Sequence, residues 1–166
     1  MPTLSFPENL LIIPGLAPIV GTGAAQTSIP ISLKNVQKMW AVVYLNTAGA
    51  SAAVAIVPQT DDLVAFGSAA SLVNTVPIWV NITAGTQDTW TKATAAINYT
   101  TAATAAHKMI IFEIDPSSFR STTTETSEDC FRISLTAVNA ADYSAIFYIV
   151  LPRYISKADT RSYIVD

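Results

Sequence analysis

Charge is what this sequence has least of. Lys and Arg total 9 and Asp and Glu 12 in 166 residues, so charged side chains make up 13% of the chain, where about 25% is ordinary. The deficit is filled by Ala, Thr, Ser and Asn. Dedicated solution monomers use charge to stay apart, so a surface of small neutral residues suits close contact with other protein. The net charge is −3 and the basic residues are scattered. That pattern offers no electrostatic footprint for nucleic acid.

Cysteine and histidine are nearly missing too. Cys130 is the only cysteine, which excludes an intrachain disulfide. In "CFRIS" it reads as a buried strand thiol. One histidine, His107, with no second imidazole and no cysteine cluster argues against a zinc site. No G-x-S-x-G elbow, no G-x-x-x-x-G-K-[ST] and no G-x-G-x-x-G occurs, so neither a nucleophile turn nor a phosphate cradle is indicated. The pairs Asp61–Asp62 and Glu125 with Glu128 and Asp129 lack the alternating spacing of a calcium loop and read as solvated turns. No cofactor is expected.

Long apolar runs are lacking as well. "LLIIPGLAPIVGTG" is cut by Pro14 and Pro18 and is too short to span a bilayer. No basic region precedes it, so no signal peptide is read and a cytosolic site of manufacture is expected. No membrane partner is expected.

What is present is β-structure. Runs near 28–33, 37–46, 51–58, 76–82, 88–93, 107–114, 130–137 and 144–151 are rich in β-branched and aromatic residues and are separated by Asn, Asp, Gly, Ser and Thr clusters. Such spacing predicts an all-β antiparallel sandwich. "DDLVAFGSAASLVN" is the best place for a helical turn, weakened by Gly67, and "DPSSF" is a turn start. Residues 1–27, with Pro2, Pro7, Pro14 and Pro18, read as an extended apolar N-terminal arm. Residues 28–152 read as the sandwich and 153–166 as a C-terminal arm.

The strands differ in a telling way. "CFRISLT" alternates cleanly, with Phe131, Ile133 and Leu135 opposing Arg132, Ser134 and Thr136. In "DTWTKAT" the outward row is polar and Trp90 reads as its anchor. "KMWAVVYLN", residues 38–46, carries Met39, Ala41, Val43 and Leu45 on one face and Trp40, Val42 and Tyr44 on the other. Neither row is polar, so something other than water should cover the second face. "AAVAIVP", "KMIIFEI" and "AIFYIVLP" share this property. Buried parallel strands read this way too, but they require crossover helices, and no amphipathic helix is evident.

Four segments follow one another: "ISLKNVQKMWAVVYLNTAGASAAVAIVPQT", "VPIWVNITAGTQDTWTKATAAINYTT", "HKMIIFEIDPSSF" and "DCFRISLTAVNAADYSAIFYIVLPRY". Their order is similar to that of a group of small structural proteins of tailed bacteriophages, the capsid decoration or cement proteins. The resemblance runs from about residue 28 to the C-terminus; "IDPSSF", "DCFRIS" and the Arg153–Tyr154 pair are its most telling pieces. It implies a jelly-roll-like β-sandwich that is made in the bacterial host cytoplasm and binds the outer surface of the virion. Its partners would be the major capsid protein and further copies of itself, as a homodimer or homotrimer. On this reading there is no catalytic site. The interface candidates are Leu11, Ile12, Ile13, Leu16 and Ile19 in the N-terminal arm, Trp40 and Tyr44 in the strand, and Arg153, Tyr154, Tyr163 and Ile164 at the other end. Three alternatives stay open: another particle component (a head-fibre base, tail or connector subunit), a carbohydrate-binding module using Trp40, Trp79 and Trp90, and a small enzyme. For the enzyme, His107 with Glu113 or Asp115 is the only pair to nominate.

Overall fold

The computed structural model describes residues 9–48, 53–119 and 129–153. Their strands, in chain order, are β1 (Leu11–Val20), β2 (Gln26–Thr27), β3 (Ile31–Ser32), β4 (Val36–Thr47), β5 (Ala55–Asp61) and β6 (Ala70–Ser71). They are followed by β7 (Val76–Asn81), β8 (Thr91–Ala96), β9 (Tyr99–Thr100), β10 (Ala106–Ile114), β11 (Cys130–Leu135) and β12 (Tyr143–Pro152). A single 3-10 turn, Pro116–Phe119, follows β10, and Asp115 starts it by accepting the Ser117 amide at 2.9 Å.

All ladders are antiparallel and fall into two sheets packed as a sandwich. The large sheet has the order β1-β12-β4-β10-β7-β8, and the small sheet is built on β2-β11-β5-β6, with β3 added to β11 and β9 to β5. Period-2 alternation places Met39, Ala41, Val43 and Leu45 of β4, Ile110, Phe112 and Ile114 of β10, and Ile146, Tyr148 and Val150 of β12 against Ile56, Phe131, Ile133 and Leu135 of the small sheet. Each is essentially inaccessible to solvent.

Two side-chain links cross this core. The Tyr148 hydroxyl of β12 hydrogen-bonds Ser28 Oγ, which also accepts the amide of Ile133 at 2.8 Å. The Tyr148 ring meets Phe131 edge-on at 5.9 Å. Ser144 of β12 donates to Gln26 beside the same layer boundary. Burial pushes the Tyr148 phenol well above its ordinary pKa.

Within the segment read as an extended apolar arm, residues 11–20 form β1, an edge strand hydrogen-bonded to β12 from Leu11↔Val150 to Val20↔Tyr143. Proline is tolerated on a sheet edge, where a missing N–H breaks no central ladder, so Pro14 and Pro18 fit a strand here. Gly15 lets this strand approach closely, since a Cβ there would lie 2.7 Å from the Tyr148 ring. The helical turn expected in 61–74 is a turn-rich loop ending in β6. Asp61 organises it by accepting the amides of Leu63 and Ser68. The strand expected at 88–93 begins at Thr91, and Trp90 stands before it, 39% exposed and no anchor. Cys130 is buried, as expected.

Candidate functional site: the outer face of the large sheet

The two sheets differ on their outward sides. On the small sheet that side carries Arg132 and Ser134 of β11 and Gln59 of β5, with Arg132 Nε donating to Gln59 Oε1 at 2.8 Å. The Arg132 guanidinium lies 4.3 Å from the centre of the Phe66 ring. Val57 lies opposite Ser134 on the same side, so this surface mixes polar side chains with a few apolar ones.

The large sheet is built otherwise. Pairing registers align Pro14, Phe147, Val42, Ile111 and Trp79 in one row across β1, β12, β4, β10 and β7. A neighbouring row aligns Ile12, Ile149, Trp40 and Glu113, and a third aligns Ala145, Tyr44 and Met109. Ile12 is 59% exposed, Trp40, Tyr44, Trp79, Met109, Ile111, Phe147 and Ile149 are half-buried, and Val42 between them is buried. Every described strand belongs to one of the two sheets, so among the described residues no third layer of regular structure covers this face.

Charge is confined to a few places on it. Glu113 accepts the indole N–H of Trp79 at 3.0 Å on one oxygen and Lys38 Nζ at 3.2 Å on the other. The Lys38 ammonium lies 5.2 Å from the Trp40 ring centre, and Lys92 lies 5.6 Å from that of Trp79. At one end of the face, Tyr44 hydrogen-bonds His107 Nδ1.

The sequence-derived candidates are dispersed relative to this surface. Ile12, Trp40 and Tyr44 lie on it. Ile13 points inward and joins the core, while Leu11 and Leu16 pack against the core's margin. Ile19 is exposed near the far end of β1. Arg153 is exposed and its amide donates to the Asn35 carbonyl at 2.8 Å. Tyr154, Tyr163 and Ile164 lie outside the described residues, as do Glu125 and Glu128.

The nominated acid–base pair is not brought together. His107 and Glu113 lie on one strand, six residues apart, which at about 3.4 Å per residue is roughly 20 Å; Asp115 lies further along the chain. Among the described residues no group of three or more His, Cys, Asp or Glu side chains converges as a metal site would require. Asp61 and Asp62 share a carboxyl contact. Burial opposes charge on Asp61, but hydrogen bonds from Asp62 and from the Ser68 and Leu63 amides outweigh it and lower its pKa. The contact with Asp61, aided by desolvation, raises that of Asp62. No described helix is long and apolar enough to cross a membrane.

Lys108 escaped the sequence reading. It sits on the inward parity of β10, with Ile110, Phe112 and Ile114, and is 1% exposed. Its ammonium donates to the carbonyls of Ala102 and Thr104 at 2.7 Å each, which pins the loop before β10. Burial lowers its pKa, and the Asp142 carboxylate partly opposes that shift. Its parity with three core residues was the available signal. This is a structural plug at the end of the core.

Comparison with protein-family models, with curated proteins and with solved structures finds no match.

Proposed function

We propose that this chain is a structural protein of a tailed-phage particle that binds the outside of the capsid and reinforces contacts between capsomers. The observation that carries the reading is the contrast between the two sheets. One outward side mixes polar side chains such as Arg132, Ser134 and Gln59 with a few apolar ones, and the other presents aligned apolar rows over neighbouring strands. Monomers rarely leave contiguous apolar surface of this size uncovered. The low charge content supports the same reading, and the similarity of segment order to the capsid decoration proteins supplies the partner, the major capsid protein. The mechanism is associative: apolar burial stabilises at about 25 cal/mol per Å², less the cost of immobilising each copy, and is repeated over a shell of equivalent positions.

Another particle role, as a head-fibre base, tail or connector subunit, would equally call for an apolar assembly face and differs in copy number. A glycan-binding sandwich is less well supported. It would need open tryptophan faces, whereas Trp40 and Trp79 each sit beside an ammonium and the Trp79 N–H is engaged by Glu113.

The test is co-sedimentation of the purified chain with phage heads that lack it, followed by heating of the complexes. Saturable binding that raises the temperature of head disruption is expected. Absence of binding to the heads encoded alongside the chain would overturn the reading.

A further inference from the structure

We infer that the outer face of the large sheet is covered by a second copy of this chain, the two faces packing around a two-fold axis into a four-layer dimer. The inference rests on the reading above of the chain as an assembly protein and names the partner of this one surface. Three observations favour a second copy over other occupants.

The first is area. From β1 to β7 the face spans five strands; at about 4.8 Å per strand, and about 3.4 Å per residue over Lys38–Asn46, it covers on the order of 700 Å². A standard interface contributes about 800 Å² from each partner.

The second is anatomy. Val42, Ile111, Phe147 and Ile149 form a neutral centre, edged by Trp40, Tyr44, Trp79 and Met109. Lys38 is paired with Glu113, and Lys92 lies against the Trp79 ring on β8, beyond the edge of the face, so the centre itself carries no charge. Protein interfaces show this arrangement of an apolar aromatic-rich centre with little charge. A surface whose centre is uncharged meets its own copy without repulsion there, as an isologous contact requires.

The third is the poverty of internal alternatives. Of the stretches outside the described residues, 120–128 reads "RSTTTETSE" and contains no apolar side chain to cover the face. The stretch 154–166 has Tyr154 and Ile155 at one end and Tyr163, Ile164 and Val165 at the other, divided by Lys157, Asp159 and Arg161, and 1–8 offers Met1, Leu4 and Phe6 beside two prolines. Neither is an uninterrupted apolar run of the kind the centre presents.

The experiment is sedimentation velocity on the isolated full-length chain over a wide concentration range. It is repeated for Phe147→Lys at the centre of the face, Ile12→Lys at its edge and, as control, Leu63→Lys, an exposed apolar residue on the loop after β5. Far-ultraviolet circular dichroism checks the fold of each. A species of twice the chain mass is expected for the parent and for Leu63→Lys. Phe147→Lys should raise the dimer dissociation constant at least about thirty-fold, with a smaller rise for Ile12→Lys. Should Phe147→Lys not fold, the parent mass and Ile12→Lys decide. A monomeric parent, a trimer, or a dimer indifferent to the face substitutions overturns the inference. A monomer that still binds heads would overturn the dimer while leaving the capsid reading intact, and a face-dependent dimer that ignores heads would do the reverse.

Discussion

Trp79 donates its indole N–H to Glu113, 3.0 Å away on the neighbouring strand, and Lys38 holds the other carboxylate oxygen at 3.2 Å. This contact satisfies the only carboxylate among the large sheet's outward rows described above. Glu113→Ala leaves both donors unmatched and is expected to cost about 0.5–1.5 kcal/mol, because the group is only partly buried. Glu113→Gln keeps an acceptor for Trp79 and should cost less. Urea denaturation of the two variants measures the difference.

Phe112 and Ile111 are chain neighbours on opposite sides of one sheet: Phe112 is fully buried and Ile111 is half-buried on the outer face. Phe112→Ala is expected to destabilise the fold by about 3–5 kcal/mol, as core cavities do. Ile111→Ala should cost distinctly less in the monomer. Equal losses in midpoint for the two variants, measured below the concentration of association, would mean that something already covers Ile111.

Tyr148 gives the fold a dependence on alkaline pH. Burial raises the folded pKa above the ordinary 10.0, so below about pH 10 folded and unfolded chains both hold the phenolic proton and stability is indifferent to this group. Above it the unfolded chain loses its proton while the folded chain keeps it. Stability therefore falls as pH rises, until the folded phenol titrates too. Tyr148→Phe should lower stability by about 1 kcal/mol at neutral pH through the lost Ser28 contact, and should flatten the decline above pH 10. Denaturation midpoints of both proteins from pH 7 to 11 test the sign.

Gly21 and Gly67 separate steric from conformational demands. A Cβ at Gly21 would lie 2.0 Å from the Asn139 carbonyl oxygen and 2.5 Å from that of Val138, whereas one at Gly67 meets nothing within 4 Å. Backbone cannot move aside as a side chain can. Gly21→Ala is expected to cost at least about 1–3 kcal/mol, and Gly67→Ala to be neutral or stabilising by up to about 1 kcal/mol. Thermal unfolding of the two variants checks the ranking.

The sandwich was legible in the sequence because alternation and turn chemistry are local. β11 reads from Phe131 and Arg132 alone, and β4, β7, β10 and β12 were located to within a residue or two. The apolar outer face was legible for the same reason: Trp40, Val42 and Tyr44 lie on one side of β4 with no charged member. Partnership was not. Pro14 and Pro18 mark an extended arm laid on another surface and an edge strand equally, and only the ladder to β12 distinguishes them. Lys108 was hidden because its inward parity conflicts with its charge, and the carbonyls of Ala102 and Thr104 that resolve the conflict come from a loop with no signature. Trp90 misled because an aromatic flanking an alternating run implies burial that its place before an edge strand does not supply.

The most direct test of the assembly role is the copy number of this chain in purified phage particles that encode it, counted by quantitative mass spectrometry against the major capsid protein. A decoration protein is expected at a number comparable to that of the capsid subunits. A count of about a dozen per particle would mark a connector or tail component, and absence from the particle would contradict a structural role on the virion altogether.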